Sequence, residues 1–365
     1  MRAFFAVLLL GASLGATACP LCLGAFRASM ADQLVDARQV VLADPGPDRR
    51  TYRVVAVIKG ERPASAVIEA SAVRTAEGPT DGAKATALLV RDEGFAGWQS
   101  IGTVTSAHAA WLRKLAAGKR AAEMNADDWR ARVAVVLPYL EHREPLLAKI
   151  AFGELASAPY GALLTLRPSL SAATLRSWLA DPALAPRESL YVLLLGIAGN
   201  AGDAAVLERR LEAAYASGDT TSLGSLIAAD LQLRGAARVA WVEQRYLVDG
   251  KRSSAEIGAA LAALSVHGNA GGTIPRERVI AAYRLFMRAH PDIAGHVARD
   301  LAAWRYWDAV PEYVAIMKSG TRQQYPSWIA IATYLRESPD AGAIDLPLPD
   351  PGRLPGEAAS LPRRS

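Results

Sequence analysis

Hydrophobic and polar positions divide the chain into two parts with different periods. In the first part, short apolar runs with a period of two predict five β-strands, at residues 39–43, 52–60, 67–70, 87–91 and 99–105. Turn residues separate the runs, as at Gly46-Pro47-Asp48. Short strands at this spacing are typical of a small closed barrel or a sandwich.

From Ala107 onward the period changes to that of helices, because apolar residues recur at intervals of three to four. Helix starts are predicted at Ser171, Asp203 and Pro275. The starts recur about every 17 residues, so two helices span about 35 residues, which is typical of helical-hairpin solenoids. The predicted helices lie near residues 107–117, 127–140, 145–157, 171–180, 187–198, 204–216, 222–234, 238–248, 255–265, 275–288, 292–303, 307–318 and 326–336.

These patterns predict an α+β multidomain protein, in which a small OB-like β-barrel precedes an all-α, HEAT-like solenoid. The tail from Asp345 is rich in proline and lacks apolar periodicity, so we expect it to be disordered. The predicted parts are a signal peptide at 1–18, the barrel at 19–106, the helical repeats at 107–340 and the tail at 341–365.

The composition supports a packed protein and narrows its function. Hydrophobic residues make up 51% of the chain and charged residues 21%, which is enough apolar material for a core. The net charge of +5 is spread along the chain without basic clusters, so we predict no nucleic-acid partner. After the N-terminal segment, no apolar run has the length of a membrane-spanning helix.

The N-terminal segment has the pattern of a secretory signal. Arg2 precedes an apolar run at residues 4–10, and small residues at 16–18 end the segment. We therefore predict export to the periplasm or cell envelope, with a mature chain that begins at Cys19.

Cys19 and Cys22, the chain's two cysteines, form a Cys-Pro-Leu-Cys motif at this end. The Cys-x-x-Cys spacing allows a local disulfide, and Cys19 is also a candidate for lipidation. Redox chemistry or copper binding by the pair is a further interpretation. A thioredoxin fold is excluded here, because the signal segment stands where that fold needs a buried strand. Membrane contact is expected only through a lipid on Cys19.

The order of these segments resembles known families. A cysteine after the signal, followed by a strand that ends in Lys59-Gly60, is similar to the netrin-like OB-fold barrels. That family's later cysteines are absent from this chain. Residues 199–207 and 304–307 resemble bacterial HEAT-like repeats. As a whole, the chain resembles uncharacterised exported bacterial proteins with a Cys-Pro-x-Cys start, a β-domain and HEAT-like helices, and this resemblance implies no activity.

Two groups of polar residues are candidate metal ligands. Glu141, His142 and Glu144 precede Pro145, but sequence neighbours do not share a helix face, so we expect a solvated helix end. In the second group, we expect Asp292 to cap the helix that carries His296 rather than to bind a metal. The second group consists of His290, Asp292, His296 and Asp300.

No known catalytic motif is present, so we predict no enzyme, no cofactor and no metal. Aromatic residues concentrate near the end of the helical part, where they serve either as core or as a partner-binding groove formed by Trp304, Tyr306, Trp307 and Trp328. The predicted function is a non-catalytic envelope scaffold that binds a protein through its helical repeats. The alternative is a thiol-disulfide or copper-handling protein that uses Cys19 and Cys22.

Overall fold

The computed structural model describes residues 21, 29–48, 50–70, 85–94, 97–321, 323–339 and 341–343. The fold is α+β, with a small antiparallel sheet followed by a helical region. The chain divides into two compact units, one ending at Leu170 and the other beginning at Ser171. No helix in the described part is long and apolar enough to span a membrane.

The first unit contains a five-stranded antiparallel sheet with the order β3-β2-β1-β4-β5. The five predicted strands are confirmed to within two residues at each end. Their bounds are β1 Gln39–Pro45, β2 Thr51–Lys59, β3 Val67–Glu69, β4 Thr86–Arg91 and β5 Gln99–Val104.

In the described residues the sheet is not closed, and β1 and β4 are its most buried strands. Val41 and Ala43 of β1 pack with Tyr52, Leu89 and Trp98 in the core of the sheet. In the described residues no ladder joins the edge strands β3 and β5; a single bridge between Ala70 and Trp98 lies beside both edges. The predicted closure into a barrel is therefore not confirmed.

Five α-helices lie in the described part of the first unit. Two of them pack on the sheet, since α2 contacts β2 and α4 contacts β5. Leu146 of α4 lies close to Gly102 of β5, where an added Cβ would come within 3.0 Å of the leucine side chain. The helices are α1 Met30–Asp36, α2 Ala109–Ala116, α3 Ala126–Val136, α4 Pro145–Ser157 and α5 Tyr160–Leu164, of which the short α5 was not predicted.

The second unit is helical throughout its described part. Alternate helices pack side by side, since α9 contacts both α7 and α11, and this repeat-like packing is consistent with the predicted helical repeats. A continuous HEAT-like solenoid is not confirmed. The helices are α6 Ala172–Ala180, α7 Glu188–Ala198, α8 Ala201–Ser217, α9 Leu223–Arg234, α10 Val239–Val242, α11 Ser254–Ala270, α12 Arg276–Ala289, α13 Ala298–Ala303, α14 Val310–Lys318 and α15 Tyr325–Glu337.

Capping explains where two of the predicted helix starts lie. Ser171 caps α6 as predicted, because its hydroxyl accepts a hydrogen bond from the Thr174 N–H. The prediction that α8 starts after Asp203 is wrong by one turn. Asn200 is the N-cap, and the Asp203 carboxylate closes a capping box by accepting from the Asn200 N–H at 2.9 Å.

Candidate functional site

A groove with a volume of about 400 Å³ lies between α6 and α8. Its lining is mostly apolar, with Arg176 and Arg210 at the rim. Val206, on the first turns of α8, is 40% exposed. We call this cavity the α6–α8 groove; it is lined by Arg176, Leu179, Ala180, Leu195, Asn200, Gly202, Asp203, Val206, Leu207 and Arg210.

Ion pairs hold both rim arginines in place. Arg176 binds the Asp203 carboxylate with two nitrogens, at 2.6 and 2.9 Å. These hydrogen bonds lower the pKa of Asp203, although burial opposes the effect. Arg210 pairs with Glu188. Both arginine side chains stay more than one-third exposed.

Arginine side chains at the edge of the α6–α8 groove can contact an acidic ligand. The lining carries two arginines and one aspartate, and the Glu188 carboxylate pairs with Arg210, so the formal charges of these four side chains balance. The N-terminus of α8 adds the positive end of a 17-residue helix at Asn200 and Gly202. The groove can therefore accept an apolar side chain flanked by carboxylates.

The aromatic residues predicted as a partner groove lie in packing contacts. Trp304 stacks on Tyr283 with ring centroids 5.7 Å apart, and its indole N–H donates to Asn269. Trp307 packs on Tyr334 at 5.1 Å. Tyr306 offers its carbonyl to the Tyr334 hydroxyl, and Trp328 lies beside Tyr325 at 6.1 Å. All four predicted residues are half-buried, and none lines the α6–α8 groove.

A second candidate site lies in the first unit, where His108, His142 and Glu144 come together. One ligating atom from each lies within 4.8 Å of the others. His108 Nε2 is 2.9 Å from Glu144 Oε1, and His142 Nδ1 accepts a hydrogen bond from the Glu144 N–H at 3.1 Å. The two imidazole rings meet edge to face at 5.0 Å.

Glu144 is buried, so the predicted solvated helix end is wrong at this residue. Its carboxylate accepts from the Thr105 N–H at 2.7 Å and from the Thr105 hydroxyl at 2.8 Å. Burial raises the pKa of Glu144, but the Thr105 hydrogen bonds and the charge of His108 outweigh burial and hold the pKa below its usual range. Glu144 is therefore an ionised, buried carboxylate.

The sequence drew attention to His142 and Glu144 but not to His108. His108 lies 36 residues before Glu144, on the turn that follows β5, and no local spacing signals the contact. The sequence offered one clue. His108 precedes α2 and Glu144 precedes α4, so a pair of helices, α2 and α3, separates the two residues and can bring them together by folding back.

The second group of candidate metal ligands does not form a cluster in the described residues. His290, Asp292, His296 and Asp300 are absent from the close histidine and carboxylate clusters of the described residues. Asp300 instead accepts a hydrogen bond from the Tyr283 hydroxyl at 2.7 Å. The prediction that Asp292 caps a helix is wrong, because residues Pro291–Val297 form a 3₁₀ helix without a side-chain cap.

Cys19 and Cys22 lie outside the described residues, as does the tail from residue 344. The disulfide, the lipid on Cys19 and the redox role of the pair therefore stay predictions.

No family model, curated protein or solved structure matches this chain.

Proposed function

We propose that this chain is a non-catalytic interaction protein whose helical region binds a protein partner. The α6–α8 groove is the observation that carries the proposal, since it joins an apolar floor to a rim with two ion-paired arginines and the N-terminus of α8. Interfaces of this kind bind one buried apolar anchor and surround it with polar contacts. The expected partner segment places a large apolar side chain next to aspartate or glutamate.

The finer architecture and the location belong to the same proposal. We propose that the sheet closes as an OB-like barrel through its β3 and β5 edges, next to the Ala70–Trp98 bridge. The packing of α7, α9 and α11 supports HEAT-like repeats that continue as a solenoid. Export to the cell envelope is proposed on the pattern of residues 1–18, as in the exported bacterial proteins that the chain resembles.

Selection of peptides on the purified full-length protein tests partner binding. A displayed library of random peptides should yield ligands with an apolar residue beside carboxylates. Val206→Glu places a negative charge in the groove, so it should weaken binding of the selected peptides at least tenfold, because it repels their carboxylates. Fluorescence anisotropy of labelled peptides measures the affinity.

Val248→Glu is the matched control, because Val248 is exposed to a similar extent (43%) and does not line the groove. This variant should bind the selected peptides like the wild type. The proposal fails if no peptide is selected, or if the Val206→Glu and Val248→Glu proteins bind equally well.

A further inference from the structure

Two separate segments of the first unit bring three donor residues together beside β5. His108 ends the 3₁₀ turn Ser106–His108, which links β5 to α2. His142 follows the 3₁₀ turn Leu137–Tyr139, and Glu144 is the N-cap of α4. The contact of α4 with β5 fixes the distance between these segments.

We infer that His108, His142 and Glu144 bind one divalent transition-metal ion, for which Zn²⁺ is the best match. Two imidazoles and a carboxylate are a donor set that zinc takes in proteins. With ligand bonds of 2.0–2.2 Å, donors around a tetrahedral zinc ion lie about 3.3 Å apart. His108 Nε2 and Glu144 Oε1 lie 2.9 Å apart, which is slightly shorter than this distance. The ligand atoms of all three residues lie within 4.8 Å of one another, so a small movement of the side chains is enough to place a zinc ion between them.

Thr105 holds the carboxylate in a fixed orientation. Its N–H donates to Glu144 Oε2, and its hydroxyl donates to Oε1, so each carboxylate oxygen has a positioned donor. Ligating carboxylates in metal sites are commonly held by such outer contacts.

A buried carboxylate needs a positive partner, and two partners fit here. The first is the Nε2–H of His108, which donates to Glu144 Oε1. The second is a metal ion between the same two atoms, which takes the place of that proton. Metal binding then releases the His108 Nε2 proton to solvent. If Nδ1 is the ligating atom of His142, metal binding also breaks the hydrogen bond from the Glu144 N–H to this atom.

Three protein ligands leave one position of a tetrahedral ion for an exogenous ligand. The His108 side chain is 18% exposed and His142 is half-buried, so the ion can reach the donors from solvent. Tyr139 lies beside both histidine rings, at 5.7 and 5.4 Å, and Trp111 packs on Tyr139 at 4.4 Å. This aromatic pair places a fluorescent reporter close to the site.

Titration of the chelator-treated full-length protein with ZnCl₂ and with CoCl₂ tests the inference. Calorimetry should give one zinc ion per chain, and Co²⁺ should produce visible d–d bands and quench tryptophan fluorescence. His108→Gln and His142→Gln should each lower the zinc affinity at least 100-fold. Thr105→Val should lower it about tenfold, because it removes the hydroxyl that holds Glu144 Oε1 and leaves only the backbone N–H to Oε2.

Two controls separate this site from other metal ligands of the chain. His296→Gln removes an exposed histidine of the second unit, and it should leave the zinc affinity unchanged. A Cys19→Ser, Cys22→Ser double variant should also bind zinc like the wild type. The inference is overturned if the wild type binds neither ion, if His142→Gln retains full affinity, or if the double cysteine variant loses binding.

Discussion

His267 shows how burial sets the charge of a single side chain. It lies on α11 in the second unit with 1% of its surface exposed. Its Nε2 is 2.9 Å from the Ala228 carbonyl, and because a carbonyl only accepts, Nε2 carries the proton. Burial lowers the pKa of His267 to about 4, although this hydrogen bond opposes the shift. The folded protein therefore holds His267 neutral at mildly acidic pH.

This burial makes stability depend on pH. Between pH 6.5 and about 4, the unfolded chain binds a proton at His267 that the folded chain does not bind, so acidification lowers the free energy of unfolding. His267→Gln keeps an N–H donor but does not titrate. Between pH 7 and 4.5, the wild type should lose about 2 kcal/mol more stability than this variant. Urea unfolding at both pH values measures the difference, and equal losses would contradict the prediction.

At the residue scale, the sequence predicted chemistry only where partners are close along the chain. The capping role of Ser171 needs one residue three positions away, and it was predicted correctly. The contact of His108 with Glu144 crosses α2 and α3, and it depends on how those helices fold back. Such contacts follow from packing, and no local pattern encodes them.

Helix contacts depend on close approach at small residues, and Gly196 on α7 is the clearest case. A Cβ added at Gly196 would lie 2.6 Å from both the Cα and the Cβ of Ala229 on α9. The backbone of α7 at Gly196 therefore meets both the backbone and the side chain of Ala229, with no space for a methyl group. Burial of α7 on nearly all sides follows from this contact and its neighbours.

Substitution of two helical glycines tests this close approach. Gly196→Ala should destabilise the protein by about 2 kcal/mol, because α7 and α9 must move apart. Gly258→Ala in α11 is the control, since its Cβ would meet no atom within 4 Å. That change should stabilise the protein by about 0.5 kcal/mol, as alanine is the better helix former. Thermal and urea unfolding compare the two variants, and a neutral Gly196→Ala would show that the helices are not in close contact.

Element types were predictable because periodicity is a local property. The five strands and most helices lie where alternation and helical spacing put them. The start of α8 was predicted at the wrong residue, because Asn200 and Asp203 are both good N-caps. The reciprocal bonds of the capping box place Asn200 first. The short α5 escaped notice because five residues are too few to show a helical period.

At the scale of the whole molecule, the main difference between prediction and structure concerns the unit to which α2 and α4 belong. The change of period at Ala107 led us to predict them as part of the helical repeats. In the structure, the Arg113 guanidinium on α2 donates to the Val57 carbonyl of β2 at 3.0 Å, and Leu146 packs on Gly102 of β5. These helices share a compact unit with the sheet. Closure of a sheet and stacking of repeats likewise depend on distant contacts, so the sequence could suggest the barrel and the solenoid but not establish them.

Two fragments of the chain test where the helical part becomes independent. A fragment of residues 171–343 should be monomeric and unfold cooperatively, because it contains one of the two compact units. A fragment of residues 107–343 adds α2 and α4 without β2 and β5, against which they pack. Its uncovered apolar surface should bind the dye ANS and promote association. Circular dichroism, ANS fluorescence and sedimentation compare the fragments with the full chain. If the longer fragment is monomeric without ANS binding and the shorter one is unfolded, the helices from Ala107 onward form one domain and the sheet is dispensable to them.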